Sequence, residues 1–319
     1  MSKFISCDWG TSAFRLRLVE YPSLTILEEI TSREGIADTH ELMMKSNSER
    51  YPFYQAILAK GVAKLAGESG ISLSGIPVII SGMASSSLGM MELDYKSLPV
   101  KTDGSDLLVH IENPSADFKY PMALISGVKS SDDAMRGEES LVVGSDLEET
   151  GNKQLIILPG THSKHVTIKN GFVTNIKTYM TGEVFELLLS KSLLSKSVSS
   201  AGSFSKNDQL WFQKGAHEGA ENNFLNAIFH VRTKRLFNDI SSEENYHYLS
   251  GLLIGSELSV LKNKSYKKIV LVSDERFFAL YSAALHSLDL NQKLYCQKAE
   301  TALIRGQSFI YEKYFSNYQ

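Results

Sequence analysis

A chain of 319 residues is long enough for two domains with a core each, and 43% hydrophobic with 22% charged residues is ordinary globular composition. The net charge of −3 supplies no basic field for nucleic acid, and no apolar stretch approaches the roughly 20 residues of a membrane span. Met1-Ser2-Lys3-Phe4 leads straight into a strand with no signal-peptide core, and two cysteines, Cys7 and Cys296, make no disulfide framework. A cytoplasmic location follows as the expectation, with both thiols reduced and serving as small core residues.

The first strand spans residues 3–8 and ends in Asp8-Trp9-Gly10-Thr11-Ser12. An alternating strand follows over 14–21, with Phe14, Leu16 and Leu18 on one face and Arg15 and Arg17 on the other. A third strand is predicted over 25–31. The Gly-Thr-Ser tip exposes successive N–H groups and hydroxyls, which can wrap phosphate oxygens. Asp8 would repel such a ligand unless a cation lay between, so it reads as a Mg²⁺-side carboxylate acting through water. An ordinary hairpin turn is the alternative. Residues 33–50 are polar, and Arg33-Glu34-Gly35-Ile36-Ala37 either starts a loop over the substrate or is a variable surface connection. Phe53, Ile57, Val62 and Leu65 mark a helix over 51–68.

Pro77 to Ile80 is a short buried strand that empties into Ser81-Gly82-Met83-Ala84-Ser85-Ser86-Ser87-Leu88-Gly89. Such a loop, beyond the carboxyl end of a strand, can hydrogen-bond a polyhydroxy acid from several sides. A Gly/Ser connector is the plainer alternative. Residues 99–120 read as a loop-rich insert, and 122–128 as another apolar strand. Beyond it, Asp132, Asp133, Glu138 and Glu139 crowd around Arg136, either as a site or as a solvated helix start.

A second copy of the opening pattern begins at Leu155-Ile156-Ile157-Leu158-Pro159-Gly160-Thr161-His162-Ser163. A strand over 165–168, an Asn170-Gly171 hairpin and a strand over 172–180 follow, then a helix over 183–194 starting at Thr181-Gly182-Glu183. Leu158 stands where Asp8 stands in the first copy. Lys164 either offsets phosphate charge or is a surface lysine. His162 and His165 find no further metal ligand, so zinc is unsupported. Residues 199–250 read as largely helical, with Phe224, Ile228 and Val231 buried. The glycines of Ser250-Gly251-Leu252-Leu253-Ile254-Gly255-Ser256-Glu257 permit close backbone approach. Lys268 to Ser273 is a buried strand, and 300–314 an amphipathic helix. A repeat this long suggests two related domains.

The doubled strand–turn–strand resembles the actin-like ATPase superfamily. Asp8 to Ser12 with Arg15, Ser81-Gly82-Met83, Met135-Arg136-Gly137-Glu138-Glu139, Leu158 to Lys164, Met180-Thr181-Gly182-Glu183 and Leu249 to Gly255 are similar, in order, to the 2-dehydro-3-deoxygalactonokinase family. The resemblance implies an α/β fold of two actin-like ATPase (ribonuclease H-like) domains. Each would be a mixed sheet flanked by helices, and the two would face across a nucleotide and substrate cleft. The first would span 1–150 with turn 1 and the acceptor loop, completed by the C-terminal helix 300–319. The second would span 151–299, with turn 2 and the adenosine region.

The implied activity is ATP-dependent phosphorylation of 2-dehydro-3-deoxy-D-galactonate at O6, in galactonate and galactose catabolism. Another 2-keto-3-deoxy sugar acid as acceptor, or a non-catalytic or filament-forming ATP-binding protein, are the alternatives. ATP and Mg²⁺ are the expected cofactors. Expected partners are ATP and the sugar acid, with a homodimer open and neither nucleic acid nor membrane. Glu138, Asp133 and Asp8 are the expected catalytic residues, with Asp8 on the metal. Nucleotide contacts are expected from Gly10, Thr11, Ser12, Gly160, Thr161, His162, Lys164 and Asp274, the last standing where the superfamily has a glycine turn. Substrate contacts are expected from Arg15, Gly82, Met83, Ser85, Ser86, Arg136, Thr181 and Glu183. Met90 and His165 occupy positions where the family often has Trp.

Overall fold

The computed structural model describes residues 2–116, 118–149, 151–200, 206–237, 240–290 and 293–316. The chain divides into two compact units: Met1–Glu149 with Ile168–Ile176 and Ala299–Gln319, and Thr150–Thr167 with Lys177–Lys298.

The first unit begins with β1 (Ser2–Trp9), β2 (Phe14–Tyr21) and β3 (Ile26–Ser32), then α1 (Ile36–Ser46), α2 (Arg50–Ser69) and β4 (Val78–Gly82). Short strands follow: β5 (Lys96–Ser97), β6 (Val100–Lys101), β7 (Val109–Glu112), β8 (Met122–Ile125), β9 (Val128–Lys129) and β10 (Ala134–Met135). The short helix α3 spans Glu138–Val143. The main sheet runs β3-β2-β1-β4-β8-β7. β1 and β2 pair antiparallel, whereas β1, β4 and β8 run parallel. The parallel strands are covered on both faces, so β4 and β8 are buried at every residue, apolar throughout β8 and over Val78–Ile80 of β4.

Phe14, Leu16 and Leu18 enter the core as the alternation predicts. Arg17, on the opposite face, is also buried and pairs with Glu29 at 2.5 Å and with Glu300 at 3.4 Å. The buried stripe of α2 is Tyr54, Leu58, Val62 and Leu65; Phe53 and Ile57 lie at its margin, so the face is rotated from the predicted one. Residues 33–50 form neither a lid loop nor a loose connection. They are mostly α1, which buries Ile36 and Met43 because these apolar residues sit at helical spacing among polar ones. The insert at 99–120 is less loop-like than predicted, since β6 and β7 lie in it and β7 closes the sheet edge.

The second unit is built on β11 (Gln154–Leu158), β12 (Ser163–Lys169) and β13 (Phe172–Tyr179), followed by α4 (Thr181–Lys191), α5 (Lys206–Glu221), α6 (Phe224–Leu236) and α7 (Ser242–Leu258). It ends with β14 (Lys268–Ser273), α8 (Glu275–Ser287) and β15 (Leu294–Lys298). The last helix, α9 (Ala299–Phe315), groups with the first unit and stacks Tyr311 on Phe4 with ring centroids 5.3 Å apart. The second sheet runs β15-β14-β11-β12-β13 and is extended by β6 at the hairpin tip, residues 168–176, which groups with the first unit. Asn170 and Gly171 at that tip both have positive φ, the backbone of a tight two-residue hairpin turn.

The predicted helical stretch 199–250 comprises α5, α6 and most of α7; residues 201–205 and 238–239 of it lie outside the described residues. Val231 is buried, with Phe224 and Ile228 packed partly against the same cluster. At Gly251 and Gly255 a Cβ would stand 2.0 Å from the carbonyl oxygens of Phe212 and Ala216, so α7 and α5 meet backbone to backbone. Cys7 is buried as expected. Cys296 is exposed instead, because β15 is a sheet-edge strand that is only partly covered; its Sγ lies 3.9 Å from Ser282 Oγ of α8. Among the described residues, no helix is long and apolar enough to cross a membrane.

Candidate active site

Turn 1 joins β1 to β2. Gly10 N–H closes it by donating to the Ala13 carbonyl at 2.9 Å. Its other carbonyls face the start of α1: Ile36 N–H donates to Gly10 O at 2.9 Å and Ala37 N–H to Thr11 O at 3.0 Å. The first N–H groups of a helix lack partners within it, so they are the natural donors here. The contact is close enough to require glycine at 35, where a Cβ would lie 2.4 Å from Thr11 O. Tying back these carbonyls removes the groups that would repel an anion and leaves exposed Thr11 and Ser12 at the tip. Trp9, buried beside the turn, donates its indole N–H to Glu34 O at 2.9 Å and holds the entry to α1.

Turn 2 joins β11 to β12 in the same way. Glu183 N–H, in the first turn of α4, donates to Thr161 O at 3.0 Å. A Cβ at Gly182 would lie 2.6 Å from Gly160 O and 2.7 Å from the Thr161 Cα. Gly182 thus repeats the part of Gly35. The Glu183 carboxylate meets His162 Nε2 at 2.5 Å. Lys164 is buried, contrary to its reading as a surface lysine, and its Nζ donates to His162 O at 2.9 Å. His165 is buried against Glu257 Oε1 at 3.0 Å, an acid that the sequence motifs do not single out.

Beside turn 2, within the second unit, lies a pocket of about 530 Å³. Thr161, Thr181, Tyr246, Arg276, Phe277 and Tyr281 are among its lining residues. Tyr246 and Phe277 offer aromatic surface, and Arg276 Nη2 donates to the Tyr246 hydroxyl at 3.3 Å. None of Tyr246, Arg276, Phe277 and Tyr281 stands out in the sequence, because an aromatic or Arg within a helix is unremarkable: Tyr246 sits in the mostly buried α7 and the other three in the amphipathic α8. Asp274 caps α8, its Oδ1 accepting from Phe277 N–H at 3.0 Å. That is the usual work of an acid before a helix, and it accounts for Asp rather than Gly at this position.

In the first unit, Asp8 pairs in register with Arg15 on β2 and with Ser81 on β4. Trp9 pairs with Gly82, and Gly137 packs on Gly82 so closely that a Cβ at 137 would be 3.0 Å from its Cα. Asp8, Ser81-Gly82 and Gly137-Glu138 therefore gather at the carboxyl ends of β1 and β4. Glu138 opens α3, and its Oε2 accepts from Arg136 N–H at 2.9 Å. Glu139 is buried. One oxygen accepts from Gly137 N–H at 2.7 Å and the other has no hydrogen-bond partner. Burial, with the charge of Glu138 adding to it, pushes its carboxyl up to about 8.

Arg136 is turned inward. Its Nη1 donates to the Ser85 carbonyl and, at 2.7 Å, to Ser85 Oγ; Nη2 donates to Leu93 O at 3.1 Å, and the guanidinium lies 4.0 Å from the Tyr95 ring centroid. Arg50 holds the same loop through Gly89 O at 2.6 Å and Ser86 O at 2.8 Å. The loop is thus fixed and is no flexible connector: Ser85 and Ser86 are buried, and Met90 belongs to the core. Asp132 and Asp133 lie on the turn between β9 and β10, where Asp133 Oδ1 accepts from Ala134 N–H at 3.0 Å.

Among the described residues no group of three or more His, Cys, Asp or Glu could hold a metal. Asp8 is a lone, partly exposed carboxylate. A single acid suits Mg²⁺, which keeps several waters and shares its shell with phosphate oxygens.

A family model described as 2-keto-3-deoxy-galactonokinase matches residues 8–310. A 2-dehydro-3-deoxygalactonokinase from Escherichia coli (strain K12) is 27% identical over 295 residues, 90% of each chain. A protein of Rhizobium meliloti (strain 1021) named as a probable 2-dehydro-3-deoxygalactonokinase is 28% identical over 293 residues, again 90% of each. Among solved structures, a Sinorhizobium meliloti protein assigned as a 2-dehydro-3-deoxygalactonokinase superposes with a TM-score of 0.81 at 26% identity, covering 98% of this chain and 99% of that one.

Proposed function

The chain belongs to the 2-keto-3-deoxy-galactonokinase family, and from that premise we propose that it transfers the γ-phosphoryl group of ATP to the 6-hydroxyl of 2-dehydro-3-deoxy-D-galactonate. The observation that carries this reading is the pair of turns whose carbonyls are tied into the N-termini of α1 and α4 through Gly35 and Gly182. Phosphoryl transfer asks mainly for positioning and charge neutralisation. Gly10, Thr11 and Ser12 on one turn and Gly160, Thr161 and His162 on the other would offer backbone N–H groups and side-chain donors to the phosphates. Thr181, expected from the sequence to meet the sugar acid, lines the pocket beside turn 2, and there it would receive the nucleoside with Tyr246, Phe277 and Arg276. Asp274, as the cap of α8, would set Phe277 and Arg276, with any ribose contact left to its second oxygen.

A Mg²⁺ held by Asp8 would neutralise charge on the transferring phosphate. Gly82, Met83, Ser85 and Ser86 form the proposed acceptor loop, which Arg136 holds in shape. Arg15 has the more exposed guanidinium of the two arginines, so it is the better partner for the acceptor carboxylate. Glu138 would take the hydroxyl proton as the bond from oxygen to phosphorus forms and the bond to the ADP leaving oxygen breaks. A cytoplasmic location fits an enzyme that draws on ATP.

The test is ADP release from the purified protein, coupled to a spectrophotometric readout, across a panel of 2-keto-3-deoxy sugar acids. Turnover is expected to be highest with the galactonate-derived acid. If no acid raises ADP release above the acid-free rate, the kinase reading fails; a clear preference for another acid corrects only the substrate.

A further inference from the structure

Glu257 lies near the end of α7 with its side chain 1% exposed, and four side chains from three other elements converge on it. Ser163 Oγ, at 2.7 Å, and His165 Nε2, at 3.0 Å, both reach Oε1 from β12. Thr181 Oγ1, at 2.5 Å from the start of α4, and Tyr281 Oη, at 2.7 Å from α8, both reach Oε2. Two donors on each oxygen use all the lone-pair directions of an ionised carboxylate, which only accepts. A carboxylate is costly to bury unless so satisfied. Burial and the charge of Glu257 push the Tyr281 phenol well above its usual range, so it stays a donor.

The four partners are not a random sample of the unit. Thr181 and Tyr281 line the pocket, whereas Glu257 itself stands behind the wall. Ser163 follows turn 2 directly. Thr181 precedes Gly182 and Glu183, whose backbone buttresses Gly160 and Thr161. We propose that Glu257 is a positioning residue that clamps both flanks of turn 2 and the Tyr281 wall in the shape that receives nucleotide. The inference rests on turn 2 and its pocket being the nucleotide site. It assigns Glu257 no contact with substrate.

The experiment compares wild type, Glu257→Gln, Ser163→Ala and the double variant by calorimetric titration with ADP, steady-state kinetics and thermal melting. Glu257→Gln is expected to weaken ADP binding by about 10–100-fold, the scale on which supporting partners of a site act. KM for ATP should rise with it, while KM for the sugar acid stays put. A merely structural role would lower the melting temperature and the active fraction, scaling kcat with both KM values and the ADP affinity unchanged. Ser163 is fully buried and does not line the pocket, so Ser163→Ala removes one donor without altering its surface. It should weaken ADP binding on its own and add little in the Glu257→Gln background, because coupled neighbours are not additive. If Glu257→Gln fails to fold, Ser163→Ala alone decides: unchanged ADP affinity in a folded protein overturns the proposal. Unchanged affinity in folded Glu257→Gln does so directly. A wild type that shows no affinity for ADP removes the nucleotide reading of turn 2, and this inference with it.

Discussion

Asp8 and Arg15 face each other across β1 and β2, with Arg15 Nη1 3.1 Å from Asp8 Oδ2 and both side chains partly open to solvent. A pair this exposed contributes at most about 1 kcal/mol to stability. Asp8→Asn should therefore leave the melting temperature nearly unchanged. If Asp8 attracts Mg²⁺, the same change should lower kcat on the order of 10²-fold, the scale seen when one stabilising group is removed from a charged transition state. Rates measured across a Mg²⁺ titration separate the two effects. Near-normal kcat at ordinary Mg²⁺ would take Asp8 out of the mechanism.

The framework of both turns is legible in the sequence because it is local. An apolar run into Gly-Thr followed by alternation describes β1–β2 and β11–β12 within twenty residues each. What backs the turns is not legible, since Gly35 and Gly182 reach them through tertiary contact and a glycine in sequence says only that something is near. Lys164 and His165 are hidden for a related reason. A lysine reads by default as a surface residue and its neighbour on an alternating strand points to the other face, yet β12 lies inside the second sheet and is buried on both. Glu257 leaves one trace in the sequence, an acid inside the apolar stretch 249–258. Only the donors that converge on it in the fold give that trace a meaning.

The repeated glycine buttress makes a paired prediction. Gly182→Ala and Gly35→Ala would each force a methyl into backbone that nothing flexible can vacate, and such overpacking costs about 1–3 kcal/mol. Each should also displace the adjoining turn and raise KM for ATP. Gly67→Ala on α2, where the methyl meets nothing within 4 Å, is the control. It should be neutral or stabilise by up to about 1 kcal/mol through helix propensity. Thermal melts with nucleotide titrations read both consequences. Wild-type ATP affinity in Gly182→Ala would show that turn 2 does not need its buttress.

Glu139 gives the protein a pH dependence. Its carboxyl holds a proton up to about 8 in the folded state, against 4.5 for the ordinary group. Between these values the native state binds more protons than the unfolded one, so stability falls as pH rises. The contribution is full below the lower value and lost through the upper one. Each pH unit between the two is worth roughly 1.4 kcal/mol, which makes the whole contribution a few kcal/mol. Glu139→Gln removes this dependence. The melting temperature of the variant, relative to wild type, should climb from about pH 5 to about pH 9. Parallel melting curves across that range would show that Glu139 is ionised throughout.

Glu138 is the proposed general base, and the proton transfer depends on it. It lies at the start of α3, next to Gly137 packed on Gly82 at the end of β4, whereas Asp132 and Asp133 lie on the β9–β10 turn. A primary hydroxyl is a poor nucleophile, and a carboxylate within hydrogen-bond reach would align it and accept its proton. Loss of a general base costs roughly 10²–10⁴-fold in rate. Glu138→Gln should lose kcat on that scale with ADP affinity unchanged, since nothing in either turn is touched. A Gln keeps the oxygen that accepts from Arg136 N–H, so the fold should persist. The competing account is that Glu138 only favours the helix start through its charge, worth a few tenths of a kcal/mol to about 1 kcal/mol at an exposed site. In that case the variant melts slightly earlier and turns over normally. The decisive comparison is with Asp133→Asn under saturating ATP and sugar acid: an active Glu138→Gln beside an inactive Asp133→Asn moves the base to Asp133, on the turn before β10.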